Sequence, residues 1–400
     1  MNTKDNPKFL LWFNFFSYFI FSSPILVLFF NSVLDNYALS MTICAARSIS
    51  CSLLEIPFGI ISDRIGRKNI MVLGAITRLL CFIIWAMSYS FVPLLLGAII
   101  IGASDALASG NNDALLYDSL CDTKQKKSYH RIYARITSYY QFALFMGSLI
   151  GAVVAFYSMR LAIILNIVPL TIALRLSLIV VEPRCKAAPE TSFIRQFIAA
   201  IKNLWQNRRL RYVAAGDGLN YGLNESAYSF NSVFISQFVP IWALGIFKSL
   251  GHLLNSFGAH VSNRIARKIG IGRTAGYGLV ADNFMNIVSV LCNSIWTPIV
   301  RLASPLAEGI HSPAINTIVQ DEIPNRIRAT TLSIASIFGS LCYSGAAIFI
   351  GYLADITSPY WALLAAYSIA LMVDSLVFVG LKYRSKTVNK YYPKPFAKNS

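Results

Sequence analysis

The chain has 400 residues, 56% of them hydrophobic and only 13% charged, yet it carries a formal net charge of +17. A water-soluble domain has about 25% charged residues, so this composition excludes an ordinary soluble enzyme and points to a chain that lives in a membrane. The 7 cysteines show no metal-ligand spacing, and neither a phosphate-binding loop nor a nucleophile–base constellation stands out. ATP-driven work, metal or cofactor binding and catalysis are therefore not expected.

Apolar runs of about 20 residues, enough to cross about 30 Å of hydrocarbon, recur along the whole sequence. Lipid offers free backbone groups no partner, so each run must be helical. Twelve spans are predicted, at 9–33, 37–62, 69–89, 92–117, 132–157, 160–181, 210–236, 239–262, 274–294, 297–320, 331–354 and 360–381. The first is too long for a cleavable leader and shows no small-residue cleavage site, so it reads as a retained span. The predicted fold is an all-α membrane protein of two six-helix bundles, 1–181 and 210–381. A linker at 182–209 and a basic tail at 382–400 complete it.

With the N-terminus placed inside, nearly all of the 35 Lys and Arg residues lie near inner span ends. Only Arg160 falls in an outer loop; Arg47, Arg78, Arg175, Lys248 and Arg301 fall within spans. This asymmetry predicts a multi-pass protein of the cell (inner) membrane with both termini cytoplasmic. The basic excess is then topological, and nucleic acid is not an expected partner. Cys121 and Cys185 would face a reducing compartment, so no disulfide is expected. In the linker, Ile194, Phe197, Ile198, Ile201, Leu204 and Trp205 recur at helical spacing beside Arg195, Lys202, Arg208 and Arg209. That pattern predicts an amphipathic helix on the cytoplasmic face. The tail should be drawn to anionic lipid.

Between spans two and three lies Gly59-Ile-Ile-Ser-Asp63-Arg64-Ile-Gly66-Arg67-Lys68. It returns in degraded form as Val261-Ser-Asn263-Arg264-Ile-Ala266-Arg267-Lys268. A cationic hairpin duplicated at half the chain length points to parallel repeats. Physically, Asp63 ends span two where a carboxylate can sit at the positive N-terminus of a neighbouring helix. Arg64 can meet Asp118 at the inner end of span four, Gly59 permits close helix packing, and Gly66 serves the turn. Asn263 and Ala266 weaken the second copy.

The pattern Gly-x-x-x-Asp-Arg-x-Gly-Arg-Lys, met at Gly59, Asp63, Arg64, Gly66, Arg67 and Lys68, resembles the loop 2–3 motif of the major facilitator superfamily. The resemblance implies secondary transport by alternating access, with spans 1, 4, 7 and 10 lining a central cavity. It also implies that the Asp63 hairpin latches against span 11 in the outward-facing state. Asp113-Ala-Leu-Leu-Tyr-Asp118-Ser-Leu at the end of span four is similar to bacterial drug-efflux-like permeases. Span five carries Gly147-x-x-x-Gly151-Ala152 where antiporters of that kind have Gly-Pro.

The residues independently make three of those four spans polar. Asp217, Asn220, Asn224, Tyr228 and Asn231 share one face of span 7, flanked by Glu225. Arg301, Ser304, Glu308, His311 and Ser312 share a face of span 10, as do Asp105, Ser109, Asn112 and Asp113 in span 4. A charge at mid-membrane costs at least about 2.5–3.5 kcal/mol, so such groups should face water or a partner. Asp105, Asp217, Glu225 and Glu308 are the candidate proton carriers, with Arg301 holding Glu308 ionised and His311 relaying. Asp282 and Asp374 have no assigned role beyond default interhelical pairing. The expected function is proton-coupled efflux of a small organic solute by a monomer. The alternatives are an importer of a polar or charged solute and, remotely, a non-transporting membrane sensor. Expected partners are the solute, protons and the lipid bilayer.

Overall fold

The computed structural model describes residues 3–184, 193–324 and 328–382. Among them every regular element is helical, and no strand occurs. The first half carries α1 (Asn6–Tyr18), α2 (Leu26–Leu34), α3 (Tyr37–Ile65), α4 (Arg67–Met87), α5 (Phe91–Ala108), α6 (Asn111–Asp122), α7 (Tyr129–Tyr157), α8 (Met159–Leu165) and α9 (Ile167–Ile179). Next come α10 (Phe193–Gln206), α11 (Arg208–Ile235), α12 (Ile241–Ile269) and α13 (Ile271–Cys292). The chain closes with α14 (Thr297–Arg301), α15 (Ala303–Asp321), α16 (Arg328–Ile356) and α17 (Pro359–Lys382). Among the described residues, eight helical stretches are long and apolar enough to cross a membrane. The predicted spans outside those eight are 1, 7, 8 and 10. Span 1 is broken in two, and spans 7 and 10 carry two of the polar faces.

The break in span 1 has local causes. Pro24 lacks an N–H and disfavours helix at the residue before it. The unwound segment is held by Asn166, whose Oδ1 accepts from Phe21 N at 2.8 Å and whose Nδ2 donates to Ser22 Oγ at 3.3 Å. Gly147 and Gly151 of α7 make room for it: a Cβ at Gly151 would lie 1.8 Å from the Phe21 carbonyl. The glycines read as a span-five motif thus serve close packing of α7 on span 1.

Gly66 joins α3 to α4 at φ +98°, the turn role its position predicted. In the second half the same turn falls on Gly270 at φ +91°, not at Ala266. Helices α3 and α12 are both 29 residues long, so the structural repeat is offset by 204 positions and the second hairpin has its glycine four residues beyond Ala266. Cys121, at the end of α6, is disulfide-bonded, against the expectation of none; compartment chemistry says nothing about which thiols the fold brings together. Helix α10 occupies the predicted amphipathic stretch, with Ile198, Ile201 and Trp205 exposed. The basic tail expected at 382–400 lies, beyond Lys382, outside the described residues, as does linker segment 185–192.

The hydrophobic interior is divided unequally. One core is shared by both halves, joining Ile25, Phe29, Met41 and Trp85 to Phe230, Tyr343, Ile350 and Tyr367. Two further cores are private: Leu10, Met71, Leu115 and Leu120 in the first half, Leu210, Ala275, Ile315 and Val377 in the second. Helix α3 packs on α16 and α12 on α7, and their inter-half contacts gather at the shared-core end. There Gly351 meets the Tyr37 carbonyl, Gly245 meets Ser148 and Ala152, and Ser344 Oγ donates to Ala45 O at 3.2 Å. At the other end, which carries Gly66 and Gly270, Gly59 has no neighbour within 4 Å, and Leu53 and Phe257 are exposed. The halves meet at one end and part at the other.

Candidate transport cavity

The first half presents a fixed charge cluster. Asp105 of α5 accepts from Arg47 Nε at 2.8 Å through one oxygen and from Arg78 Nη2 at 2.6 Å through the other. Arg78 is buried, its guanidinium 5.1 Å from the ring centre of Tyr18, which in turn meets Tyr140 edge-on at 4.4 Å. Arg47 is 43% exposed along its side chain and turns toward the second half. Two cations on one carboxylate leave a net positive site. The carboxylate is thus held from both sides and anchors α5 to α3 and α4. Nearby, Ser109 donates to Glu55 Oε1 at 2.7 Å. Asn112 is half-buried with its Oδ1 unpartnered, and Asp113 is exposed.

The second half faces it with mixed charge. Glu225 of α11 is exposed between the halves, within electrostatic reach of Arg47 and of Lys248 on α12. Lys248 donates to the Ser23 carbonyl at 2.8 Å, across the halves and into the unwound part of span 1, and lies 5.2 Å from the Tyr228 ring centre. Glu308 of α15 is also exposed, bonded to Asn255 and within reach of Glu225, Asp282 and His311. Asp217 is half-buried, with His311 in reach. Asp217, Glu225, Tyr228, Glu308 and His311 are thus neighbours, whereas Asp105 is tied to the opposite wall.

Asn220 and Asn224 turn elsewhere. Asn220 donates to Asp374, and Asn224 donates to Asn220 and to Asn283 Oδ1 at 2.9 Å. The span 7 stripe therefore splits, with carboxamides facing into the second half and Glu225 into the gap. Arg301 does not hold Glu308; it donates to Asn286 Oδ1 and stacks over Tyr367 at 5.1 Å.

The hairpin residues tie the first half together at the parted end. Arg67, not Arg64, pairs with Asp118, at 2.7 Å; Arg64 is exposed. The Arg67 and Lys68 backbone N–H groups donate to the Glu182 carboxylate at 2.9 and 2.7 Å, so this acid caps α4. The side chain of Asp63 lies outside the described residues. The sequence pattern did not mark Glu182, Lys248, Asp282, Asp374 or Arg47 as site residues. The available signals were a lone acid opening a basic linker and charges inside spans 2, 8, 9 and 12.

Two packed bundles with a charged gap between them define a membrane transporter fold. The chain belongs to the Major Facilitator Superfamily, whose family model matches residues 9–344. Solved structures agree on the fold. The nucleoside transporter NupG is 14% identical with a TM-score of 0.78, covering 96% of this chain and 100% of that one. The POT family transporter PepTSo is 12% identical with a TM-score of 0.74, covering 94% of this chain and 97% of that one. A bacterial homologue of the human lysosomal transporter Spinster, solved inward-facing and unoccupied, is 15% identical with a TM-score of 0.71, covering 95% of each chain. No curated protein sequence matches significantly.

Proposed function

We propose that the protein is a proton-coupled secondary transporter of a small polar solute that works by alternating access across the cell membrane. The observation that carries this reading is the division of the cores, one shared and two private, around a gap lined by Arg47 on one side and Glu225, Lys248 and Glu308 on the other. The positive-inside count puts the parted end in the cytoplasm, so the conformation is inward-open and the twelve predicted spans leave both termini inside. Charges of both signs on facing walls suit a solute that is itself charged or strongly polar, because each buried wall charge then finds a counter-charge.

Export is the direction expected from the resemblance of span four. Uptake is the second reading, and the charged lining favours it. The test is reconstitution in vesicles with an imposed inward acid gradient and labelled nucleosides, peptides and organic ions screened in both directions. Accumulation with the proton flow supports uptake, and movement against it supports export. Transport indifferent to the gradient removes the proton coupling. Glu308→Gln should abolish gradient-driven accumulation, and an unchanged pH dependence would exclude Glu308 from the coupling path.

A further inference from the structure

Inside the second half, away from the gap, two carboxyls are buried together. Asp374 of α17 is 1% exposed and Asp282 of α13 is 5% exposed, and among the described residues neither pairs with a lysine or arginine. Asp374 accepts from Asn283 Nδ2 at 3.0 Å through both oxygens and from Asn220. Asp282 accepts from Ser304 Oγ at 2.6 Å and from Asn286 Nδ2 at 3.3 Å, and lies 3.3 Å from His311 Nε2. Asn286 also donates to Asn224 Oδ1 at 3.4 Å, which closes an unbroken run of carboxamides from one acid to the other. The remaining ring nitrogen of His311, Nδ1, is buried without a hydrogen-bond partner.

We propose that this network, entered through His311 and ending on Asp282 and Asp374, is the proton-binding site of the carrier. The proposal rests on the transporter reading and deepens it. Burying two carboxylates together without a cation beside them is costly. Carboxamide donors offset part of the cost, and one proton removes the rest. The ionisable groups facing the network are Asp217 on α11, Arg301 on α14, Glu308 on α15 and Tyr367 on α17. Among these, Arg301 reaches Asp282 only through Asn286, so no fixed cation neutralises the pair directly.

The step balances without a co-reactant. A proton from the gap, where Asp217 and Glu308 lie within reach of His311, binds at Nδ1. The Nε2 proton passes to Asp282, so the imidazole is neutral before and after with its tautomer exchanged. Nδ1 is unpartnered because it is the port. Its arrangement differs from that of the first half, where Asp105 is paired with two arginines.

The experiment is infrared difference titration of the purified full-length protein in detergent, without cargo, from about pH 5 to about pH 9. A protonated-carboxyl band that titrates in the parent should be lost in Asp282→Asn and reduced in Asp374→Asn, and should persist in Glu308→Gln. His311→Gln, which keeps a side-chain donor toward Asp282, should shift the titration midpoint without removing the band, and serves if Asp282→Asn does not fold. A band that vanishes in Glu308→Gln and survives both aspartate variants places the proton in the open gap and overturns the proposal. So does loss of the band when sodium chloride replaces choline chloride at constant pH, which would make the network a sodium site. Because no cargo is present, failure of vesicle transport leaves this result standing, and the reverse holds too.

Discussion

The end of the molecule where the halves meet is held in part by one carboxylate. Asp355, near the end of α16, accepts from the backbone N–H groups of Tyr37 and Ala38 at 2.8 Å each. Those are first-turn donors of α3, in the other half. The next donor, Leu39 N, is taken by the Asn36 side chain at 2.7 Å. The carboxylate therefore completes the cap of a helix it does not belong to, and the cap exists only while the halves touch. Losing an N-terminal cap costs about 0.5–2 kcal/mol, and an anion at the positive helix end adds about 0.3–1 kcal/mol. Asp355 is exposed, so water takes up part of the loss and the net is about 1–2 kcal/mol. That is a shift of about 5- to 30-fold in the ratio of the two conformers. Asp355→Ala should thus raise the population closed at the Gly66 end, and Asp355→Asn should do so less. Spin-label pairs at positions 126 and 272, on a background without native cysteines, read that end as a distance distribution. The shift should shrink as salt rises from about 0.05 to about 1 M, since an exposed contact is screened. An unchanged distribution in Asp355→Ala at low salt would refute the cap as a conformational lock.

Gly351→Val should act in the same direction by force rather than by loss, because a Cβ there would sit 2.6 Å from the Tyr37 carbonyl. Overpacking of that kind costs about 1–3 kcal/mol and should appear in the same distance measurement. Asp105→Asn strips Arg47 and Arg78 of their shared partner. Breaking a buried pair costs about 3–5 kcal/mol, discounted because Arg47 is 43% exposed. The apparent melting temperature should fall clearly further than for Glu308→Gln. Arg67→Ala should destabilise by about 1–3 kcal/mol by orphaning Asp118, which is 5% exposed, while Arg64→Ala stays within about 0.5 kcal/mol; equal melting temperatures would refute the assignment.

The helices were legible because span length and backbone satisfaction leave few choices. The turn at Gly66 was legible because that position needs φ above zero. Facing was harder to read. Asn224 and Glu225 are adjacent and point about 100° apart, one into the second half and one into the gap. Helix α11 has protein on most sides, so its polarity marks no single direction. Arg64 and Arg67 lie almost one turn apart, and only the fold shows which one reaches Asp118. Asp282 and Asp374 were visible as isolated charges, but Asn283 and Asp374 are 91 residues apart and meet only because α13 packs on α17. A sequence period reports a face, not the identity of the helix opposite.

The two halves treat a buried carboxyl in opposite ways. The sites are not copies of one another, because Asp105 lies on span 4 whereas Asp282 and Asp374 lie on spans 9 and 12. In the first half Asp105 is paired with two guanidiniums, with Arg47 left facing the gap. In the second, Asp282 and Asp374 received serine, histidine and asparagines, which hold a carboxyl in place without fixing its charge. A carrier that exchanges a proton for a solute needs both kinds of site. One must keep its sign through the cycle so that cargo is recognised on either side of the membrane. The other must lose its charge so that the cavity can close over it without stranding an ion in hydrocarbon. On the proposed alternating-access cycle, placing the two in separate halves would let the motion change the distance between them, which is the coupling coordinate such a cycle requires.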